Sequence, residues 1–194
     1  MADRIDRVAI VGGGFSGAML AARLAERGLA STLVNRTADF GLGVAYSTPF
    51  DGHLLNVRSG RMSALAGQPD HFVRWLEANY PDLADPAGFA PRRVFGRYVE
   101  DRLRAVEVAS PGLIRRLVAE VASITDAGIR LADGRHIRAG SVVLATGNPA
   151  PGTAGAGVSE RIIPDPWAPG ALDRIGPADD ILICLLYTSD AADE

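Results

Sequence analysis

The chain has 194 residues, 47% of them hydrophobic and 22% charged, with a formal net charge of −3, the composition of a globular protein with enough apolar side chains for a packed core. All 20 basic residues are arginine, and without a lysine neither a P-loop phosphate clamp nor a Schiff-base enzyme has the amine it requires. Three well-separated histidines and a single cysteine exclude a zinc cluster and a disulfide framework, so any redox chemistry must come from a bound cofactor.

Met1-Ala2-Asp3-Arg4 runs directly into an apolar strand pattern, so no signal peptide is expected and the protein is expected in the cytoplasm. Val8-Ala9-Ile10-Val11 predicts a buried parallel strand. Glycines follow at once, and from Phe15 to Gly28 the residues Ala18, Leu20, Ala21, Leu24 and Ala25 recur at helical spacing, with Gly28 as the stop. Ser31-Thr32-Leu33-Val34 is a second strand, which completes a right-handed βαβ unit.

Arg36 to Met62 carries no sustained period and holds several glycines, which predicts one long loop. A helix capped by Asp70 is expected through Tyr80, with Phe72, Val73, Trp75 and Leu76 inward and Pro81 as its end. A second is expected from Gly96 to Ala109, with Tyr98, Val99, Leu103 and Val106 inward. From Leu113 the period becomes two. Leu117, Ala119, Val121 and Ser123 share one side of a strand, Ile129-Arg130-Leu131 begins another, Asp133-Gly134 makes the turn and His136-Ile137-Arg138 returns, forming a small antiparallel meander. Ser141-Val142-Val143-Leu144-Ala145 predicts a further buried strand ending at Thr146-Gly147. His71 and His136 are assigned to structure, and His53 to a surface or capping role.

The expected organisation is a domain over residues 1–150, a Pro/Gly-rich connector over 151–179, and the opening strand of a second nucleotide-binding domain at Asp180–Ile183. The terminal Cys184–Glu194 breaks the composition of the rest and matches the in-frame translation of a transposase sequencing adapter, so it is expected to be non-native.

Gly12-Gly13-Gly14-Phe15-Ser16-Gly17 matches G-x-G-x-x-G directly after a strand and at the start of a helix, the context in which the pattern has a mechanism. Gly12 allows the tight turn, Gly14 lets a pyrophosphate approach the backbone, and Gly17 brings helix and strand together. The helix N-terminus offers unpaired N–H groups to the phosphates. The second strand ends in Asn35, followed by Arg36, where the fingerprint has an acid that holds a ribose hydroxyl. An amide can still make that hydrogen bond, and Arg36 could meet a 2′-phosphate, so these local residues admit FAD, NAD and NADP alike.

The order of elements beyond the βαβ unit is that of flavoproteins with two dinucleotide sites. Val8 to Gly17, Gly41-Leu42-Gly43-Val44-Ala45-Tyr46-Ser47, Leu54-Leu55-Asn56-Val57, Arg61-Met62-Ser63 and Ala145-Thr146-Gly147-Asn148-Pro149 resemble the bacterial FAD/NAD(P)-binding family that includes FAD-dependent urate hydroxylase and aspartate N-monooxygenase. Asn35 stands where that family has Glu. The resemblance implies an α/β, Rossmann-like FAD-binding domain with a small antiparallel meander, followed by a second domain for NAD(P)H, the hydride donor. It implies that Gly12, Gly14, Phe15, Ser16 and Gly17 bind the FAD pyrophosphate and Asn35 the ribose. Gly43, Ala45 and Tyr46 would lie where the loop passes the cofactor, and Asn56 and Met62 near the flavin. Val121 would be the backbone partner of adenine, while Thr146 and Gly147 close over the cofactor.

The leading expectation is a flavin-dependent monooxygenase that acts on a small polar substrate, with neither nucleic acid nor membrane as partner. The rivals are a non-oxygenating flavin reductase or oxidase and a non-catalytic dinucleotide-binding module. As an N-terminal fragment the chain is expected to be inactive by itself.

Overall fold

The computed structural model describes residues 7–148, 159, 161–166, 168 and 170–183. The chain divides into two compact units, Met1–Ala150 and Pro151–Glu194. The first unit begins with strand β1 (Arg7–Val11), helix α1 (Phe15–Ala25) and strand β2 (Ala30–Asn35). β1 and β2 are parallel, in register from Arg7 against Ala30 to Val11 against Val34. The buried face of α1 is made of Gly17, Ala18, Ala21, Ala22 and Ala25, side chains so small that the helix axis lies close to the sheet. After the helix, the Leu29 N–H bonds back to the Leu24 carbonyl at 2.9 Å, a closure made possible by Gly28 in the left-handed region at φ 74°.

The long loop is more ordered than its sequence suggests. It contains a one-turn helix, α2 (Gly43–Tyr46), and a 3-10 turn at Ser59–Arg61, both too short to leave a period. What holds it is a run of backbone bonds to residues 86–92: Arg92 N–H to the His53 carbonyl at 2.8 Å, Leu55 N–H to Ala90 at 2.9 Å and Ser59 N–H to Gly88 at 2.9 Å.

Helix α3 (His71–Asn79) and helix α4 (Arg92–Ala109) follow. Asp70 does not cap α3 with its side chain; its carboxylate pairs instead with Arg74 one turn on, at 3.2 Å. α4 starts at Arg92 and not at Gly96, because Val94 and Phe95 are themselves buried and packing extends the helix toward its N-terminus. Phe72, Phe95 and Tyr98 form an aromatic cluster with ring centroids 5.0–5.4 Å apart.

The period-two stretch that begins near Leu113 is two strands in two different sheets. β3 (Ile114–Val118) is parallel to β2, whereas β4 (Val121–Thr125), β5 (Gly128–Leu131) and β6 (His136–Arg138) make the antiparallel meander. The break falls at Ala119–Glu120, so Leu117 and Ala119 are not on the meander strand with Val121 and Ser123. β7 (Ser141–Leu144) is parallel to β1, and the four-stranded sheet has the order β3-β2-β1-β7. β7 lies at its edge with Leu144 60% exposed, less buried than its apolar sequence predicts. One core cluster joins Ile10 and Leu33 of the sheet to α1 and to Leu103 and Val106 of α4. A second joins Ala9 and Val34 to Ile129 and Leu131 of the meander. The sheet is thus covered by helices on one face and by the meander on the other.

The described residues of the second unit are turns, such as the one in which Asp179 accepts the Gly176 N–H at 2.7 Å. Asp180–Ile183 forms no strand there and is exposed, Leu182 to 95%; an apolar run becomes a strand only beside a neighbour that takes its backbone hydrogen bonds. Cys184–Glu194 lies outside the described residues. Among the described residues no helix is long and apolar enough to cross a membrane.

Candidate functional site

The C-terminal ends of β1, β2 and β7 border a cleft of about 260 Å³. Its position follows from connectivity: β2 and β3 lie on one side of β1 and β7 on the other, and chains leaving a parallel sheet in opposite directions open a crevice at that switch point. The walls are apolar where Val11, Val34, Ala119 and Val121 line them, and the rim carries Gly12, Asn35, Arg36, Glu120 and Thr146.

The glycine turn crosses one end. Gly12 has φ 109°, and a Cβ there would lie 2.1 Å from the Ala145 carbonyl oxygen, so backbone conformation and the neighbouring β7 exit both demand glycine. A Cβ on Gly17 would meet the Gly12 carbonyl oxygen at 1.9 Å, the close helix–strand approach expected from the motif. Gly14 is the N-cap of α1; among the described residues no side chain caps the helix, and its first turn carries no acid. The amides of Phe15, Ser16 and Gly17 therefore face outward with the positive end of the helix dipole and no side chain to neutralise them. The long loop packs onto this end through glycine: a Cβ on Gly43 would sit 3.3 Å from Gly14 Cα.

Asn35 lines the cleft, but its amide is engaged. Its Oδ1 accepts the Gly13 N–H at 3.2 Å, and its Nδ2 donates toward the Thr37 carbonyl at 3.2 Å and hydroxyl at 3.3 Å and the Asp39 carbonyl at 3.3 Å. Its backbone carbonyl accepts the Ala119 N–H at 2.8 Å, which carries the β2–β3 ladder one step further and brings Glu120 to the same cleft as Arg36. Among the described residues the Arg36 and Glu120 side chains have no hydrogen-bonding or ionic partner, each other included.

Of the residues singled out from sequence, Gly12, Asn35, Arg36, Val121 and Thr146 meet in this cleft, with Gly14, Phe15, Ser16 and Gly17 at its helix end. Gly147, just past Thr146, has φ 67°. Gly43, Ala45 and Tyr46 are on α2. Tyr46 packs its ring 4.8 Å from Phe95 and 6.0 Å from Phe15, and burial pushes its phenol above the ordinary pKa. Met62 packs on the same helical core, while Asn56 is exposed. Sequence reading passed over Ala119 and Glu120, which the strand register alone would reveal.

His53 and His71 make side-chain contacts within the fold. His53 Nδ1 is 2.6 Å from Thr48 Oγ1. Tyr98 Oη accepts the Ala64 N–H at 3.1 Å and lies 2.8 Å from His71 Nδ1. Burial, then the charge of Arg74, holds the His71 pKa below its ordinary value, against a smaller opposing effect of Asp70.

Residues 9–149 match the protein family described as FAD-NAD(P)-binding. The tRNA uridine 5-carboxymethylaminomethyl modification enzyme MnmG of Granulibacter bethesdensis is 30% identical over 151 residues, 72% of this chain and 24% of that protein. The chain therefore spans about a quarter of that relative's length. Among solved structures, the FAD-bound form 2 of OTEMO is similar with a TM-score of 0.51 at 18% identity, over 76% of this chain and 26% of that one. Open cyclohexanone monooxygenase gives 0.50 at 22%, over 77% and 29%, and oxidized steroid monooxygenase bound to NADP gives 0.50 at 19%, over 76% and 27%. At these identities the likeness is one of fold.

Proposed function

The chain belongs to the FAD-NAD(P)-binding family, and on that premise we propose that it is the FAD-binding part of a flavin-dependent monooxygenase for a small polar substrate, related to urate hydroxylase and aspartate N-monooxygenase. The observation that carries the reading is the uncapped N-terminus of α1 beside a cleft with apolar walls and a polar rim. An adenosine diphosphate needs those three things: amide donors for its phosphates, an apolar slot for its base and polar groups for its sugar.

In this reading the amides of Gly14, Phe15 and Ser16 bind the pyrophosphate, Gly12 and Gly17 keep the turn tight enough for its approach, and Val121 and Ala119 border the adenine. Thr146 and Gly147 close the opposite side. Gly43, Ala45 and Tyr46 hold the loop against the helix end, while Asn56 and Met62 belong to the part of the loop directed to the flavin. When bound, the flavin supplies hydride acceptance from NAD(P)H and reaction with O₂; the protein supplies position and exclusion of water.

Yellow colour with flavin absorbance in the purified chain tests the cofactor, and transfer of label from ¹⁸O₂ to product in the full-length protein tests the oxygenation. A second reading, a flavoprotein that makes no oxygenated product, draws on the likeness to a tRNA modification enzyme. Unlabelled product with continued NAD(P)H consumption would favour it.

A further inference from the structure

A ribose held in the cleft presents two hydroxyl donors, and the acceptor that dinucleotide sites normally supply is an acid at the end of the second strand. Here that position is Asn35. Its Nδ2 protons are directed to the Thr37 and Asp39 backbone, and its oxygen, already bonded to the Gly13 N–H, keeps one lone pair and no charge. Among the described residues the cleft has a single carboxylate, Glu120, on the link between β3 and β4. The Ala119 N–H bond to the Asn35 carbonyl, 2.8 Å, fixes that link against the end of β2, so Glu120 lines the same cleft as Asn35 and Arg36, where the missing acid would act. No side chain among the described residues occupies its carboxylate.

We infer that Glu120 is the acceptor for the adenosine ribose hydroxyls, and that Asn35 is a positioning residue which holds the glycine turn. The assignment rests on the nucleotide-binding reading above. A carboxylate has two oxygens for two hydroxyls and binds them with charge assistance, which an amide lacks. The same charge decides specificity. A 2′-phosphate would have to sit against Glu120, so this site takes adenosine with a free 2′-hydroxyl and rejects its 2′-phosphorylated form, although Arg36 stands ready to bind a phosphate.

The test is titration calorimetry of the 194-residue chain and its Glu120→Gln variant with ADP, 2′,3′-dideoxy-ADP and 2′,5′-ADP. Glu120→Gln should weaken ADP about tenfold, leave dideoxy-ADP unchanged and tighten 2′,5′-ADP, because the repulsion is gone and Arg36 remains. Equal weakening of ADP and dideoxy-ADP would overturn the assignment, since Glu120 would then act on the fold and not on the hydroxyls; no change in any of the three would overturn it too. Binding of ADP without retention of FAD would remove the flavin reading and leave Glu120 assigned, whereas a wild-type chain that binds none of the three nucleotides removes both.

Discussion

The side chain of Asn35 accepts the backbone N–H of Gly13 at 3.2 Å, so the end of β2 is stapled to the glycine turn that leaves β1. The staple needs an amide. Its other half donates to the Thr37 and Asp39 carbonyls, and an acid at this position would turn a carboxylate oxygen toward those carbonyls.

Asn35→Asp, nearly isosteric, should therefore destabilise the domain by about 1–2 kcal/mol through the lost donors. Urea denaturation at pH 7 measures it; an unchanged midpoint would show that the Thr37–Asp39 turn does not depend on the amide.

The glycines of the turn divide by what faces them. Gly12→Ala and Gly17→Ala would drive a Cβ to 2.1 and 1.9 Å from backbone oxygens, overlaps that rigid neighbours cannot relieve, and neither variant should yield folded protein. A Cβ on Gly14 would sit 3.5 Å from Gly43 Cα, ordinary contact, so Gly14→Ala should fold. Gly14→Val, whose branches crowd the phosphate approach, should fold and lose nucleotide binding. Circular dichroism together with ADP titration separates the outcomes.

Gly96 controls the loop from a distance. A Cβ there would lie 2.8 Å from the Tyr46 carbonyl oxygen and 2.8 Å from Leu42 Cδ2, so Gly96→Ala should push α2 away from α4 and Gly43 away from Gly14. Nucleotide affinity should fall several-fold while far-ultraviolet circular dichroism stays native, and an unaffected affinity would mean that the loop contributes nothing to the site.

The pH dependence of stability should carry a His71 component. Its pKa in the folded protein is below the unfolded value, so between the two the unfolded chain binds more protons and stability rises with pH. The contribution is complete above about pH 6.5 and declines as pH falls below it. His71→Asn should flatten denaturation midpoints in that window, and Tyr98→Phe, which leaves the part-buried Ala64 N–H without its acceptor, should cost about 1–3 kcal/mol at pH 7.

The βαβ unit and its glycine turn are legible in the amino-acid sequence because their causes are local. A run of branched apolar residues, a missing Cβ at Gly12 and Gly17, and alanines repeating at helical spacing each act within a few residues of where they stand. The inward faces of α3 and α4 are legible for the same reason. Partner choice is not local. Alternation shows that residues near Leu117 and Val121 are pleated, but only the assembled sheet decides that β3 lies beside β2 and that β4 turns away into the meander. That decision creates the far wall of the cleft and brings Glu120, unremarkable in sequence, to the same cleft as Arg36. It also gives the Asn35 amide its partners in the chain: the fold of Thr37–Asp39 back over it provides acceptors that no sequence pattern announces.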